Sequence, residues 1–467
     1  MTMALTDPSH GYYTSKVTSS FLDDDLFNDD VYDIEHDTSS SSAIIGKYGD
    51  FTTAPEISQI FGECMLLFFV YQYRNLLKTP EAIQILEIGP GKGTLMADIL
   101  VTACKSFHDF ADALADGGGV HLIELSPDMR KKQEQILSEW NDKLENYEFV
   151  FVKGNSKGEN KGRDKDEDKD KDKDKDDTNQ KIQSSTNNLS KDTNIKKIRI
   201  YWHDALSSVP ATNIHGKYIP HFILCQEFYD ALPIHSFQKH SDGSWRERMI
   251  DVDVKPDKAL HNGDTYLKQE SILLDALPNQ PKKPRLRFVL SKESTPALDT
   301  LLKLPPEYEQ KTNVGDIIEI CPMGLMLTEE ISSRISQCQG ASLIIDYGTE
   351  FGSGDTLRAF YKHEQVHPLT LPGKVDVTAD VVFGSIKQEA EKVSNVTCFG
   401  PTTQGQFLSG MGAVERVTTL IDDDNTTDEQ AEELFIGLER LVSPEAMGER
   451  YKILSIVSGT HQKVPGF

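Results

Sequence analysis

The chain is 467 residues long, 38% hydrophobic, and carries a formal charge of −25 from 49 basic and 74 acidic side chains. That length is too great for one minimal sheet and points to a core domain with insertions or a second lobe. The acidic balance argues against nucleic acid as the main partner, since a phosphate backbone demands a basic footprint, and suits a cationic substrate better.

In chain order, the first informative stretch is acidic: Asp23, Asp24, Asp25, Asp29, Asp30, Asp33, Glu35 and Asp37 crowd together ahead of a Thr-Ser run. It reads as a solvated, flexible insertion. Residues 49–63 then join a loop to a helix expected to run from 57 to 77, with Thr53 as its cap and Pro55 in its first turn. Helix initiation alone explains this segment, but the density of polar and aromatic residues also makes Asp50, Phe51, Thr53, Pro55 and Glu56 candidates for a substrate-side lid. The longest apolar run, from Cys64 to Tyr71, is far too short to cross a bilayer, so no membrane insertion is expected.

Residues 84–95 carry the strongest signal. An apolar strand ends in Glu87, a turn follows with Gly89, Gly91 and Gly93, and a helix opens at once, which is the βα corner that wraps a nucleotide-like cofactor. Lys92 is followed by Gly93 and not Ser or Thr, against a P-loop, and the glycine spacing departs from the G-x-G-x-x-G of dinucleotide sites. Glu-x-Gly-x-Gly-x-Gly is instead similar to the loop of class I methyltransferases, which meets the methionine part of S-adenosylmethionine. A second apolar run, 119–125, contains Glu124, suited to ribose hydroxyls, although it lies further on than the usual twenty or so residues. A third, 198–206, carries Asp204, which could accept an adenine amino group and could equally be a helix cap.

Segments 147–152 and 198–202 read as strands flanking a Lys-Asp tract, and are expected to pair as a hairpin whose tip, the disordered insert 156–190, has almost nothing to bury. The apolar strand at 221–228 delivers Glu227 and Asp230 to the carboxyl end of the sheet, where two carboxylates could hold a guanidinium bidentately. For Asp230 a turn cap is an equal alternative. Between 236 and 330 the pattern changes to short polar strands, prolines and charged turns, the mark of an inserted lobe. Further strands are expected at 341–348, 396–399 and 451–457, and helices at 130–140 and 429–441.

Strand and helix alternate, giving an α/β fold whose sheet is mainly parallel with both faces covered. The chain divides into an N-terminal segment and lid (1–60), a Rossmann-like core (61–235), an inserted lobe (236–335) and the rest of the core sheet with its helices (336–467). Six cysteines form no CxxC pair and no His cluster has zinc spacing, so neither a metal nor a disulfide framework is expected, and a reducing compartment follows.

Several strings together resemble the MidA-type protein arginine methyltransferases, the mitochondrial assembly factors of respiratory complex I and their bacterial relatives. They are Gly49-Asp50-Phe51-Thr52-Thr53-Ala54-Pro55-Glu56, Leu86-Glu87-Ile88-Gly89-Pro90-Gly91-Lys92-Gly93, Gln226-Glu227-Phe228-Tyr229-Asp230-Ala231-Leu232-Pro233, Ile345-Asp346-Tyr347-Gly348 and Met447-Gly448-Glu449-Arg450. The resemblance implies a class I methyltransferase sheet of seven strands with an added lobe and S-adenosylmethionine as donor. It further implies symmetric dimethylation of an arginine in a complex I subunit, and a mitochondrial (matrix) location. The chain starts almost at the first family motif, with no Arg-rich amphipathic presequence in view. Glu87 and the glycines then take the methionine moiety, Glu124 the ribose, Asp204 the adenine, and Glu227 with Asp230 the guanidinium. The rival readings are an assembly chaperone that holds S-adenosylmethionine without chemistry and, more weakly, a nicotinamide oxidoreductase. Nothing in the sequence speaks to the oligomeric state.

Overall fold

The computed structural model describes residues 1–7, 11–12, 53–152, 195–253, 285–304, 309, 311–352, 354–361 and 364–467. The acidic run, the Lys-Asp tract, Asp50 and Phe51 lie outside the described residues.

The first half of the main sheet comes from β1 (Gln84–Ile88), β2 (Gly119–Ile123), β3 (Tyr147–Val152), β4 (Lys196–His203) and β5 (His221–Gln226). A smaller antiparallel sheet follows in the chain, from β6 (His235–Lys239), β7 (Trp245–Asp253), β8 (Arg285–Leu290) and β9 (Ile317–Ile320), in the order β8-β7-β6-β9. It has its own small core of Phe237, Trp245 and Leu298. The chain then re-enters the main sheet as β10 (Gly340–Thr349), forms a three-stranded sheet from β11 (Arg358–Tyr361), β12 (Glu364–Val366) and β13 (Asp376–Thr378), and adds the short β14 (Val381–Val382) beside β10. It closes with β15 (Val396–Thr403) and β16 (Tyr451–Ser458).

The main sheet runs β15-β16-β10-β5-β1-β2-β4-β3. Every neighbouring pair from β10 to β3 is parallel, and only β16 is reversed, antiparallel to both β10 and β15. The path holds eight strands where the resemblance implies seven, with β3 at its edge. The parallel pairing of β3 with β4 overturns the expected hairpin: Tyr147 lies opposite Lys196 and Val152 opposite Tyr201, so the chain must return to the start of the pair. Period-two alternation identifies a strand but carries no information on its direction.

The sheet is sandwiched because its central strands are apolar on both faces. Along β5, Phe222 and Leu224 belong to one core and Ile223 and Cys225 to the other; in β16, Ile453 and Val457 face the first, Leu454 and Ile456 the second. The first core is rich in aromatics, with Phe61, Phe68, Phe69, Phe110 and Phe407. It takes in the helix Gln59–Tyr71, apolar and buried on nearly every side, and the helix Thr94–Ser106, most of whose residues are buried. The helix expected over 57–77 runs from Gln59 through Leu76, but its expected start at Thr53 is a separate short helix, Ala54–Ile57, which stops where Ser58 is extended (φ −159°, ψ 134°); the Ser58 hydroxyl accepts the N–H of Ile60 to start the longer one. All six cysteines are free thiols, four of them buried.

Register brings the carboxyl ends of three strands level. Ile88 is opposite both Ile123 and Cys225, so the loops after β1, β2 and β5 open on one edge. The chain leaves β1 for β2 on one side and later returns to β5 on the other, which makes this edge the switch point where open α/β sheets bind ligands.

Candidate active site

A cavity of about 360 Å³ lies at that edge. Glu87, Gly89, Gly91, Glu124, Asp204 and Glu227 all line it, as do Thr53, Pro55 and Glu56 from the expected lid. Gly93 and Asp230 are not in its lining.

One half is built on β1, β2 and β4. Glu87, at 1% exposure, has an Oε2 with no hydrogen-bond partner among the described residues, and burial pushes its carboxyl up to about 8. Three glycines with positive φ follow: Gly89 at +71°, Gly91 at +51° and Gly93 at +89°. A Cβ on Gly89 would sit 2.5 Å from the Phe228 ring, so only glycine allows this approach. Gly93 is the left-handed cap of the helix Thr94–Ser106. The Gly91 carbonyl accepts the Nε2–H of Gln133 at 2.7 Å, and the same amide reaches Glu124 Oε2 at 3.2 Å while its Oε1 takes the indole N–H of Trp202 at 2.7 Å. Gln133, wholly buried on the helix Pro127–Ser138, therefore ties the glycine loop to the acid after β2. Nothing in the sequence singles out this glutamine, because its role exists only once the helix packs on the loop.

Glu124 also accepts the N–H of Ser126 at 2.8 Å, and burial raises its carboxyl despite these bonds. Asp204 stands at the rim, its side chain 81% exposed and paired with Arg130 at 2.6 Å. The Arg130 guanidinium donates also to the Glu124 carbonyl.

The other half surrounds Glu227. Its backbone φ of +47° is a left-handed conformation rare for a side chain of this size, and its N–H is held by the Ile345 carbonyl at 2.9 Å. Gln226 donates to Oε1 at 2.5 Å, Tyr451 donates to Oε2 at 3.4 Å, and the Ala54 N–H faces the carboxyl. Burial first, and then the neighbouring Asp230, pushes the Glu227 carboxyl up to about 8.

Asp230 departs from its expected role as a direct ligand. It is buried behind the wall, where Thr378 donates to its Oδ2 at 2.7 Å and the Tyr347 hydroxyl donates to the same oxygen. A third acid, Asp346, completes the corner at 0% exposure, accepting the N–H groups of Tyr229 (3.0 Å), Asp230 (3.2 Å) and Tyr347 (2.9 Å). Burial first, then Asp230, raises it well above the ordinary range. Arg358, paired with Asp380 at 2.7 Å, stands 4.8 Å over the Tyr347 ring. The short helix Thr2–Thr6 contributes Thr2, Leu5 and Thr6 to the pocket wall, which no sequence signal foretold.

An adenosyl sulfonium fits these residues: a glycine cradle that a single Cβ would fill, an unpartnered carboxylate oxygen, and an acid after the second strand. Among the described residues, no group of three or more His, Cys, Asp or Glu side chains is placed to hold a metal. Sheet order and cradle together define a methyltransferase of the Rossmann-like class. The chain belongs to the family described as putative S-adenosyl-L-methionine-dependent methyltransferases, whose model matches residues 67–402.

Among curated proteins, it is 31% identical to the rat mitochondrial protein arginine methyltransferase NDUFAF7, over 99% of this chain and 80% of the relative. The human NDUFAF7 is 30% identical, over 91% of this chain and 76% of the relative, and a Drosophila homologue is 29% identical, over 98% and 80%. Among solved structures, a Burkholderia thailandensis protein bound to S-adenosyl-homocysteine matches at a TM-score of 0.62 and 18% identity, covering 100% of this chain and 88% of that one, which shows the shared fold.

Proposed function

We propose that this protein methylates an arginine ω-nitrogen of a protein substrate, and that the reaction is the symmetric dimethylation of an arginine in a complex I subunit in the mitochondrial matrix. The arginine and the mitochondrion follow the names of the relatives, and the finer target follows the family resemblance. The observation that carries the reading is Glu227: a half-buried carboxyl held by Gln226 and Tyr451 in the wall of the cavity that the glycine loop also lines.

S-adenosylmethionine, when bound, supplies an electrophilic methyl group on a sulfonium. Glu87 and the glycines hold the methionine end, Glu124 the ribose, and Asp204 the adenine once Arg130 gives way. Glu227 receives the guanidinium, which stays protonated almost until it reacts and so must be gripped and aimed. With the cavity empty near neutral pH, Glu227 keeps its proton. An arriving cation reverses that balance and draws out the carboxylate. Asp230 and Asp346 act from behind by setting the field and fixing Tyr347.

Mass spectrometry of complex I from cells with and without this protein tests the reading directly. An arginine dimethylated only when the protein is present supports it. A methylation pattern that does not change, together with no transfer of labelled methyl to any purified mitochondrial protein, argues for the non-catalytic chaperone.

A further inference from the structure

The short helix Ala54–Ile57 touches both halves of the cavity by different atoms. At its N-terminal end, the Ala54 N–H faces Glu227, and Thr53 and Pro55 line the cavity together with that carboxyl. One residue beyond Pro55, the Glu56 carboxylate turns to the glycine loop: Thr94 donates to Oε1 at 2.6 Å and Lys92 Nζ reaches Oε2 at 3.2 Å. Both members of the ion pair are mostly shielded, with 15% and 18% side-chain exposure, so the contact is weakly screened. The helix is backed as well as fronted. Ala54 is fully buried, and the Ile57 carbonyl lies 3.4 Å from where a Cβ on Gly437 would stand, so the helix Asp428–Val442 leans on it.

We propose that this helix is the coupling element between the two halves, with Glu56 as a positioning residue that passes the state of the glycine loop to the acceptor carboxylate Glu227. Donor binding settles the conformation of residues 89–93. Lys92 and Thr94 then hold Glu56 in one place, and the helix that carries Glu56 keeps the Ala54 N–H facing Glu227. The lid expected on the substrate side thus belongs to both sides, and its consequence is order: donor first, acceptor second. The donor end of this proposal needs only the family's cofactor, while its acceptor end rests on the arginine reading.

Hydrogen exchange with S-adenosylhomocysteine as the probe tests the donor end without any acceptor. In the wild-type protein, saturating probe should slow exchange both in the loop at 88–97 and in the amides between Ala54 and Ile60. In Glu56→Ala, loop protection at saturating probe should persist while protection of the 54–60 amides falls about tenfold, within the range of ordinary inter-site coupling. Glu56→Gln keeps the shape and a Thr94 acceptor but loses the charge, so it should fall between; it also serves should the alanine variant not fold. Equal protection of 54–60 in the wild type and the variants, or none in the wild type, overturns the proposal. Steady-state methylation of an arginine peptide tests the acceptor end: at saturating donor, Glu56→Gln should lower kcat and leave the peptide KM nearly unchanged. If Glu56 governs protection of 54–60 but the wild type methylates no arginine peptide, the coupling stands and the arginine reading falls.

Discussion

The two halves of the cavity are built in opposite ways. The donor half draws on consecutive elements: Glu87, the glycines, Glu124 and Gln133 come from two successive βα units and Trp202 and Asp204 from the end of β4, with hydrogen bonds that span 42 residues from Gln133 to Gly91 and 69 from Trp202 to Gln133. The acceptor half is assembled from a distance, with Ala54, Gln226, Glu227, Asp346, Tyr347, Thr378 and Tyr451 meeting only because β10 lies between β5 and β16. It also concentrates Glu227, Asp230 and Asp346 in one desolvated corner, an arrangement that costs folding energy and persists where orientation is worth more. Binding a cofactor can thus be encoded in one stretch of sequence, whereas aiming a second substrate recruits the whole fold.

The largest expected effect breaks the acceptor half alone. Glu227→Gln should lower methyl transfer by about a hundredfold or more, the scale of a lost transition-state contact, with S-adenosylhomocysteine affinity by calorimetry close to wild type. Donor binding lost with turnover intact at saturating donor would place Glu227 in the other half. Next, Gly91→Leu should cut donor affinity about tenfold or more, the factor that 1.4 kcal/mol represents, since it loads a left-handed backbone and fills the cradle. Its melting temperature should stay near wild type; undiminished affinity removes the donor from this loop.

A third prediction sets the halves side by side, because each holds a carboxyl raised from 4.5 to about 8, Glu87 and Glu227. The folded protein binds these protons more tightly than the unfolded chain. Their stabilising contribution is therefore complete below about pH 4.5 and is lost as pH rises through about 8. Urea unfolding of the ligand-free protein should show falling stability over that window, and Glu227→Gln should flatten part of the decline and raise the melting point at pH 9 by on the order of 2 °C. A profile identical to wild type would mean Glu227 is ionised in the empty cavity.

The smallest effect lies far from both halves. Removing residues 160–184 of the Lys-Asp tract should leave donor affinity and melting temperature nearly unchanged. Removing all of 156–190 should not be neutral, because parallel strands need a crossover of about a dozen residues or more. If the longer deletion is silent as well, β3 is dispensable at its edge.

This contrast explains what was legible in the sequence. The strands at 84–88, 119–123 and 221–226 announce themselves as largely apolar runs, and Glu87, Glu124 and Glu227 are visible because each stands at or just beyond a strand end, where the register places the cavity. Tyr451 is readable as a strand residue, but its bond to Glu227 depends on an antiparallel pairing with β10 across a hundred residues. For Asp230 the sequence leaves ligand and turn cap as equals, because it shows proximity to Glu227 and not the hydroxyls of Tyr347 and Thr378 that both bond its Oδ2. The direction of β3 against β4 was hidden by the tract between them, and the part played by the helix Thr2–Thr6 by the tertiary contacts that bring it to the wall.

The reversed strand β16 also sets a timetable. It comes last of all the strands, and Tyr451 opens it. At a synthesis rate of about 5–20 residues per second, tens of seconds separate the emergence of β5 from that of β16. A nascent chain therefore owns its donor loop well before it owns the corner that aims the acceptor, and during that interval the three acids have no closed cavity to share. Chains truncated before residue 451 should therefore transfer no methyl group even where they retain S-adenosylhomocysteine, because the acceptor corner closes only when β16 joins β10.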